Sequence, residues 1–297
     1  MGFFDLFKEK ITQPTTHDSE DNLVLNSGAH ILNNCRNVVV EGKAIILEAT
    51  DSQIISMSGK SKLQILNSGE IGEISGNVKI GLIKTGKIGV LKNKVKVTTI
   101  NDCFIEYVKD NVKIGTFNGG EVKFVDGKAQ IATINNGKFM FVRDKVKIGT
   151  MIDGEITGIM NDVELTTMMN GRVDYVLNKA NIGTINDGSI GEVCDASEIE
   201  TMNNGKVCYM RGKAIVCQQI AGEIENQSST TLVLYSQKKE LVKNILKPQE
   251  DKKRKKKEPV KETELEKTEE SQQKNDSVQA QLDVDSLLEQ KQEENKD

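Results

Sequence analysis

The sequence predicts an all-β protein, a single-chain β-solenoid of about 12 coils with 17 residues per coil. Apolar and mostly β-branched residues recur every 17 residues, without an insertion, through successive units. Gly, Asn and Asp recur at two fixed places in each unit, where a coil needs its corners. Seventeen residues are too few for a helical hairpin, so a helical repeat is excluded.

The register is set by the first position of each unit. It carries Val78, Val95, Val112, Ala129, Val146, Val163, Ala180, Ser197 and Ala214, with weaker units at Ser61, Ala44 and Ser27. Positions 3, 6, 11 and 14 are apolar, except that position 14 fails at Gln227 in the last unit. In that unit, position 6 is assigned to Ile220 by a displacement of one. Position 9 is Gly in every unit from Val78 except for Cys103. We therefore expect positions 3, 6, 11 and 14 to form the core columns.

Stacking of coils supplies the predicted stability, because one coil cannot bury its own apolar side chains. Neighbouring coils separated by about 4.8 Å bond backbone to backbone, so about twelve of them make a rod roughly 55–60 Å long. Such a rod leaves an unpaired strand at each end, which must be capped or must polymerise.

Two side-chain columns are candidate surfaces. Position 5 predicts a hydrogen-bonded threonine ladder, with a flat lattice-binding array as the alternative; its members are Thr99, Thr116, Thr133, Thr150, Thr167, Thr184 and Thr201. Position 13 is aromatic, and it is either core and ladder packing or an outward interaction stripe; its members are Tyr107, Phe124, Phe141, Tyr175 and Tyr209. Lysines at position 2 indicate a solvated edge; they are Lys79, Lys96, Lys113 and Lys147.

Residues 1–12 predict a short amphipathic helix ahead of the solenoid, which we assign to residues 20–236. Phe3, Phe4, Phe7 and Ile11 fall on one helical face. This face either caps the first coil or rests on a membrane surface as a peripheral contact.

The C-terminal composition predicts a short helix or cap over 237–247 and a disordered charged tail over 248–297. A basic run, Lys252, Lys253, Arg254, Lys255, Lys256 and Lys257, is either a solvated stretch or a contact for anionic lipid or nucleic acid. Val284, Leu287 and Leu288 form a small apolar cluster, which suggests a docking peptide for an unknown protein partner.

Composition argues for a cytoplasmic protein. The formal net charge is −4, which does not suggest a specific nucleic-acid binder. No apolar run approaches a membrane span, and Asp5 and Glu9 interrupt any signal-like stretch. The 5 cysteines lack metal-ligand spacing, so we expect free thiols in a reducing compartment.

Nothing in the sequence indicates catalysis. The only two histidines, His17 and His30, precede the regular coils, so no Ser-His-Asp or Cys-His set can be assembled in the solenoid. The glycines recur with the unit and do not form a phosphate-binding loop. We therefore predict a protein that is not an enzyme, with no catalytic, metal or cofactor site.

The chain resembles the bactofilins, bacterial polymer-forming cytoskeletal proteins. The resemblance lies in Phe3, Phe4 and Phe7 at the start, the columns written IGTI…G.I..V in the middle, and the KKRKKK run beyond them. It implies nucleotide-free filaments without polarity that act as a scaffold at the inner face of the membrane.

The sequence thus favours a self-assembling scaffold whose partner is a second copy of the chain. One alternative is a monomeric solenoid that presents its side-chain ladders to a protein or glycan. Another is a phage structural component. Capped ends would favour the monomeric platform, and trimeric assembly would favour the phage protein.

Overall fold

A computed structural model describes residues 13–235, and they form a β-solenoid of about 13 coils without a helix. The predicted all-β solenoid of 17-residue coils is confirmed for this part, with about 13 coils where about 12 were predicted. The segments 1–12 and 237–247, the tail 248–297 and their candidate residues lie outside the described residues. Coil pairing begins at Thr15, earlier than the predicted boundary at 20.

Each coil contributes one strand to each of two parallel sheet faces. The first face contains β1 (Thr15–Asp18), β3 (Ala29–Asn33), β5 (Ile45–Thr50), β7 (Lys62–Leu66), β9 (Lys79–Ile83), β11 (Lys96–Ile100), β13 (Lys113–Phe117), β17 (Glu164–Met168), β19 (Asn181–Ile185), β21 (Glu198–Met202), β23 (Ile215–Gln219) and β25 (Leu232–Tyr235).

The second face contains β2 (Val24–Leu25), β4 (Val38–Val40), β6 (Ser52–Met57), β8 (Gly69–Ile74), β10 (Gly86–Leu91), β12 (Cys103–Val108), β14 (Gly120–Val125), β18 (Arg172–Leu177), β20 (Ser189–Val193), β22 (Lys206–Met210) and β24 (Glu223–Gln227). The long strands β15 (Gln130–Val142) and β16 (Lys147–Met160) run through both faces. Every strand pairs in parallel with the strand one coil away.

The core is a set of columns that run along the rod axis. From the unit at Val78 to Met210, the residues at positions 1, 3, 6, 11 and 14 are buried. Two consecutive outward residues separate positions 3 and 6, and two more separate positions 11 and 14. The alternation of inward and outward side chains along each strand is therefore interrupted by a bend. Burial of these mostly β-branched side chains between coils is the main stabilising contribution.

Two corners per coil depend on residues that tolerate positive φ. Position 16 has positive φ in every coil from 42 to 212, and it is always Gly, Asn or Asp; the residues are Gly42, Gly59, Gly76, Asn93, Asp110, Gly127, Asp144, Asn161, Asn178, Asp195 and Gly212. Where position 9 is not Gly, at Ser52 and Cys103, the preceding Asp51 or Asp102 takes the positive φ instead.

The ends of the solenoid depart from the predicted register. Val24 pairs with Val39 and Ala29 pairs with Ile45, spacings shorter than 17 residues, so the first unit is displaced from its predicted start at Ser27. In the last unit, Gln219 pairs with Met202 and occupies the position 6 column. The assignment of that column to Ile220 is wrong: Ile220 is 57% exposed.

One side chain in the buried position 1 column is polar, and its substitution is expected to change the stability of the fold. The Ser197 hydroxyl is fully buried and finds no hydrogen-bond partner among residues 13–235, whereas Ala180 and Ala214 fill the same column in the adjacent coils. We expect Ser197→Ala to raise the free energy of unfolding by about 1–2 kcal/mol, because a desolvated hydroxyl is removed. Denaturant unfolding measures this change.

Ser52→Ala is the matched control for that substitution. The Ser52 hydroxyl is also buried, but it donates to the Thr50 carbonyl at 2.8 Å and accepts from the Cys35 amide at 3.1 Å. The control should therefore lower stability. Equal effects of the two substitutions would contradict the assignment of Ser197 as an unsatisfied group.

Candidate interaction surface

The predicted aromatic column stands on the outer face of the second sheet. Phe141 is buried, with 6% exposure, whereas the other four members are partly or fully exposed, so the core interpretation holds for Phe141 alone and the ladder interpretation holds in part. Tyr107 stacks on Phe124 with centroids 5.1 Å apart, and Phe124 stacks on Phe141 at 6.0 Å. The column then breaks, because Gly158 and Glu192 occupy the rungs on either side of Tyr175.

Cations cover part of the three-ring ladder. Lys109 Nζ lies 4.3 Å from the Tyr107 ring centroid, and the Arg143 guanidinium lies 5.4 Å from that of Phe124. Arg143 also donates to both carboxylate oxygens of Asp126, at 3.0 and 3.1 Å, and this hydrogen bonding raises the pKa of Arg143. The ladder is therefore an outward surface whose rings already have stacking and cationic partners within the solenoid.

The threonine column is in register from coil to coil, as predicted. Its hydroxyls form no hydrogen-bonded ladder within residues 13–235, so that part of the prediction is wrong. Asparagines at position 7 form the side-chain ladder instead: Asn118 donates to Asn101 at 2.8 Å, and Asn203 donates to Asn186 at 2.7 Å. Recurrence of Asn every 17 residues is the signal by which the sequence could have shown this ladder.

Two rows of lysines lie along one edge of the rod, where the sequence predicted only the row at position 2. Position 17 lies on the other side of the buried position 1, and it adds a second row of lysines along the same edge. The two rows consist of Lys43, Lys60, Lys94, Lys128 and Lys145 at position 17, and of Lys62, Lys79, Lys96, Lys113 and Lys147 at position 2. Neither row contains Asp or Glu between residues 43 and 147.

Charge is also divided along the rod. Residues 43–147 contain 17 Lys and Arg against 10 Asp and Glu, and residues 148–235 contain 5 against 12. The two stretches therefore have net charges of +7 and −7 by the same count. The lysine edge lies within the positive half, and at its C-terminal end Lys147 is paired with Glu164 of the next coil.

The two histidines meet at the N-terminal end of the core, in the position 3 and position 6 columns. His30 Nε2 donates to the Ser27 carbonyl at 2.8 Å, which leaves His30 Nδ1 to accept from His17 Nε2 at 3.2 Å. His17 Nδ1 faces the Glu20 carboxylate at 3.2 Å.

The thiols are free, and three of the five are buried. Burial raises the pKa of Cys103 to about 12, and burial together with a hydrogen bond to Glu192 raises the pKa of Cys194. A raised pKa disfavours the nucleophilic thiolate. Within residues 13–235, no cluster of three His, Cys, Asp or Glu is arranged to hold a metal ion, and no helix is long and apolar enough to cross a membrane.

Comparison with protein-family models, with curated proteins and with solved structures gives no match for this chain. The resemblance to bactofilins therefore rests on the sequence pattern alone.

Proposed function

We propose that the protein is a non-enzymatic scaffold that self-assembles through the ends of its solenoid. The observation that supports this most directly is that, among residues 13–235, the terminal strands are paired on one side only. β1 and β2 bond to β3 and β4, while β24 and β25 bond to β22 and β23, and no other residue within 13–235 covers their outer edges. Unpaired parallel edges are templates for addition of a further coil.

Apolar side chains at the two ends also support end-to-end assembly. Leu23 near the N-terminal end, and Ile224 and Val233 near the C-terminal end, pack against the core but stay only partly buried. In the interior coils, the equivalent columns are almost completely shielded from solvent. A coil from a second copy would complete this burial and pair the exposed backbone groups at the same time.

Polar groups among the terminal columns favour a directed contact over nonspecific adhesion. The His17–His30 pair lies at one end, and Gln219 and Gln227 occupy core columns at the other. At the C-terminal end, the buried Gln219 Oε1 accepts no hydrogen bond within residues 13–235, so a correctly paired coil can supply a donor that a mispaired end would not. Selectivity of the end contact therefore arises from polar matching as well as from backbone pairing.

Substitution of Val233 tests end assembly. Val233 continues the inward position 3 column below Val216, so Val233→Lys should place a charge in the end contact and abolish filaments. Its cost to the single rod should be small because the side chain is only partly buried there. Negative-stain electron microscopy and sedimentation of the full chain measure assembly, and thermal unfolding measures the rod.

Ile215→Lys is the matched control in the adjacent coil. Ile215 points outward at position 2, where several other coils carry lysine, so filaments should persist. Discrete rods from the unmodified chain over a wide concentration range would contradict end assembly. Equal loss of filaments in both variants would show that added charge alone is responsible.

Association with the cytoplasmic face of a membrane is a separate part of the proposal. It rests on Phe3, Phe4, Phe7 and Ile11, which lie outside the described residues. Flotation of the full chain with anionic vesicles, compared with a Phe3→Ser, Phe4→Ser, Phe7→Ser variant, tests it. Unchanged flotation of the variant would remove this part and leave end assembly standing.

The outward aromatic ladder favours a second candidate, a monomeric platform for a protein or glycan. Tyr107 and Phe124 remain partly exposed on the side of the rod. This candidate requires single rods at working concentration and a partner whose binding depends on those rings. The same microscopy that tests assembly therefore separates the two functions.

A further inference from the structure

The first sheet face carries a strip of small side chains along its middle. Positions 4 and 5 both point outward there, between the inward positions 3 and 6. From Gly81 to Gly183, position 4 holds only Gly, Ala or Thr, and position 5 is the threonine column. Small side chains over this length allow a second sheet to approach the face closely.

An exposed apolar pair lies at one border of this face. Ile152 is 39% exposed and Met169 is 46% exposed, and they occupy position 7 in adjacent coils. Asparagines flank the pair on both sides, so six successive coils carry Asn118, Asn135, Ile152, Met169, Asn186 and Asn203. The order of residue types, amide, amide, apolar, apolar, amide, amide, is the same in both directions. The column is therefore complementary to a reversed copy of itself.

The opposite border, at position 2, changes its charge at the same height along the rod. In the same six coils it carries Lys113, Gln130, Lys147, Glu164, Asn181 and Glu198. Glu198 and its neighbour Glu200 form no ion pair with any residue in 13–235; they accept from the Cys217 thiol and from the Asn181 amide. The lysines of position 17 precede the strand, in the corner outside this face.

We propose that the first sheet face binds a second copy of this chain in antiparallel orientation, with the two-fold axis between the coils of Ile152 and Met169. In this contact each column faces itself with its order reversed. Ile152 of one rod then lies opposite Met169 of the other, and Lys113 lies opposite Glu198. The apolar pair is covered, and the unpaired carboxylates gain a cation.

The contact has the size of a stable interface. The two-fold axis lies about five coils from β25, so two antiparallel rods overlap along about ten coils, or roughly 48 Å. Positions 2 to 7 span about 17 Å across the face. The covered surface is thus about 800 Å² on each copy, which is typical of specific protein–protein interfaces.

Other arrangements of two copies fit less well. A shift by one coil places Lys147 opposite Lys147 or Glu164 opposite Glu164, depending on its direction, and like charges in opposition are unfavourable. A shift by two coils leaves Ile152 and Met169 opposite asparagines. A parallel two-fold contact sets position 7 against position 2, so that Ile152 faces Lys147 and Met169 faces Glu164. Only the antiparallel register about the apolar pair matches both borders.

The full chain carrying Val233→Lys tests this pairing without assembly through the ends. Sedimentation velocity should show a dimer, and Ile152→Asp should weaken dimerisation by about tenfold or more, because the dimer buries the added charge at two symmetric places. Ile55→Asp is the matched control. Ile55 is 50% exposed but lies on the second sheet face, so its substitution should leave the dimer unchanged. Thermal unfolding confirms that each variant is folded.

A charge exchange in the same background tests the antiparallel register. Lys113→Glu should weaken dimerisation, because it places like charges opposite one another at both ends of the contact. Addition of Glu198→Lys should restore it, since the opposite charges then meet again with their signs exchanged. Within one rod the two residues lie about five coils, or roughly 24 Å, apart. Restoration therefore requires contact between two copies.

Three results would overturn the lateral contact: a monomer over a wide concentration range, equal weakening by Ile152→Asp and Ile55→Asp, or no restoration by Glu198→Lys. End assembly is judged separately, from filaments of the unmodified chain. A dimer without filaments in the unmodified chain would retain the lateral contact alone. Filaments of the unmodified chain with a monomeric Val233→Lys variant would retain end assembly alone.

Discussion

Gly137→Ala is expected to lower the free energy of unfolding by about 2–3 kcal/mol, and Phe117→Ile is expected to remove most of that loss. Gly137 is one of the position 9 glycines, yet its φ is not in the left-handed region that most of them adopt. Its requirement for glycine comes from packing. A Cβ atom at residue 137 would lie 2.6 Å from Cδ1 of Phe117, which is fully buried.

Phe117 fills this space because, from Ile83 to Met202, it is the single aromatic residue in a column that otherwise holds Ile or Met. Its ring packs edge-on against Phe139, with centroids 5.0 Å apart. Isoleucine at residue 117 would open room for the added methyl group, leaving only a slight adjustment of Phe139, 3.1 Å away. The two substitutions should therefore compensate each other despite being destabilising individually.

A double-mutant cycle tests this coupling. Guanidinium unfolding is measured for the unmodified protein, for each single variant and for the variant that carries both substitutions. Gly120→Ala is the matched control, because its Cβ would lie 2.2 Å from the backbone oxygen of Cys103 and its φ is +92°. No change at Phe117 relieves a backbone clash, so the loss from Gly120→Ala should persist in the Phe117→Ile background. Additive losses for Gly137→Ala and Phe117→Ile would contradict the packing explanation.

The sequence predicted the regular coils well because their geometry is repetitive. A parallel stack places residues 17 apart in direct contact, so each apolar column in the sequence is also a physical column. Val122, Phe139 and Ile156 are read from the sequence as one column, and they are paired neighbours in the structure. The same logic applies to the Gly, Asn and Asp corners.

Prediction fails where the backbone register and side-chain polarity disagree. At the last regular coil, the apolar pattern favours Ile220 in the core, but the ladder places Gln219 there. Shifting the strand by one residue would break the backbone pairing with the preceding coil. Near the end of the rod, Gln219 remains 9% exposed and donates to the Gly222 carbonyl at 3.0 Å, which reduces the cost of its burial.

The candidate surfaces were less accessible to sequence reasoning. Strict alternation cannot decide which way position 13 faces, because positions 12 and 13 both point outward at a bend between two buried residues. The sequence predicted only the position 2 row of the lysine edge. Whether position 17 lies beside that row depends on how the corner folds. Both surfaces depend on the backbone geometry of the corners. The residue types show where a corner lies, but they do not specify its geometry.

Alkaline pH should destabilise the solenoid through Cys103, and Cys103→Ala should reduce that sensitivity. Cys103 is fully buried at a position that is glycine in most coils. Burial raises its pKa from 9.0 to about 12 in the folded protein. Between these values the unfolded chain loses the thiol proton while the folded chain retains it, so stability is complete below about pH 9 and falls as pH rises.

The expected loss is about 1.4 kcal/mol for each pH unit above about 9, until the folded thiol itself ionises. Lysines and tyrosines also titrate in this range, so the informative quantity is the difference between the unmodified protein and Cys103→Ala in the slope of unfolding free energy against pH. Cys194→Ala should also flatten the slope, because burial and the nearby Glu192 carboxylate raise the pKa of Cys194. Identical slopes for all three proteins would show that these thiols ionise as readily in the folded solenoid as in the unfolded chain.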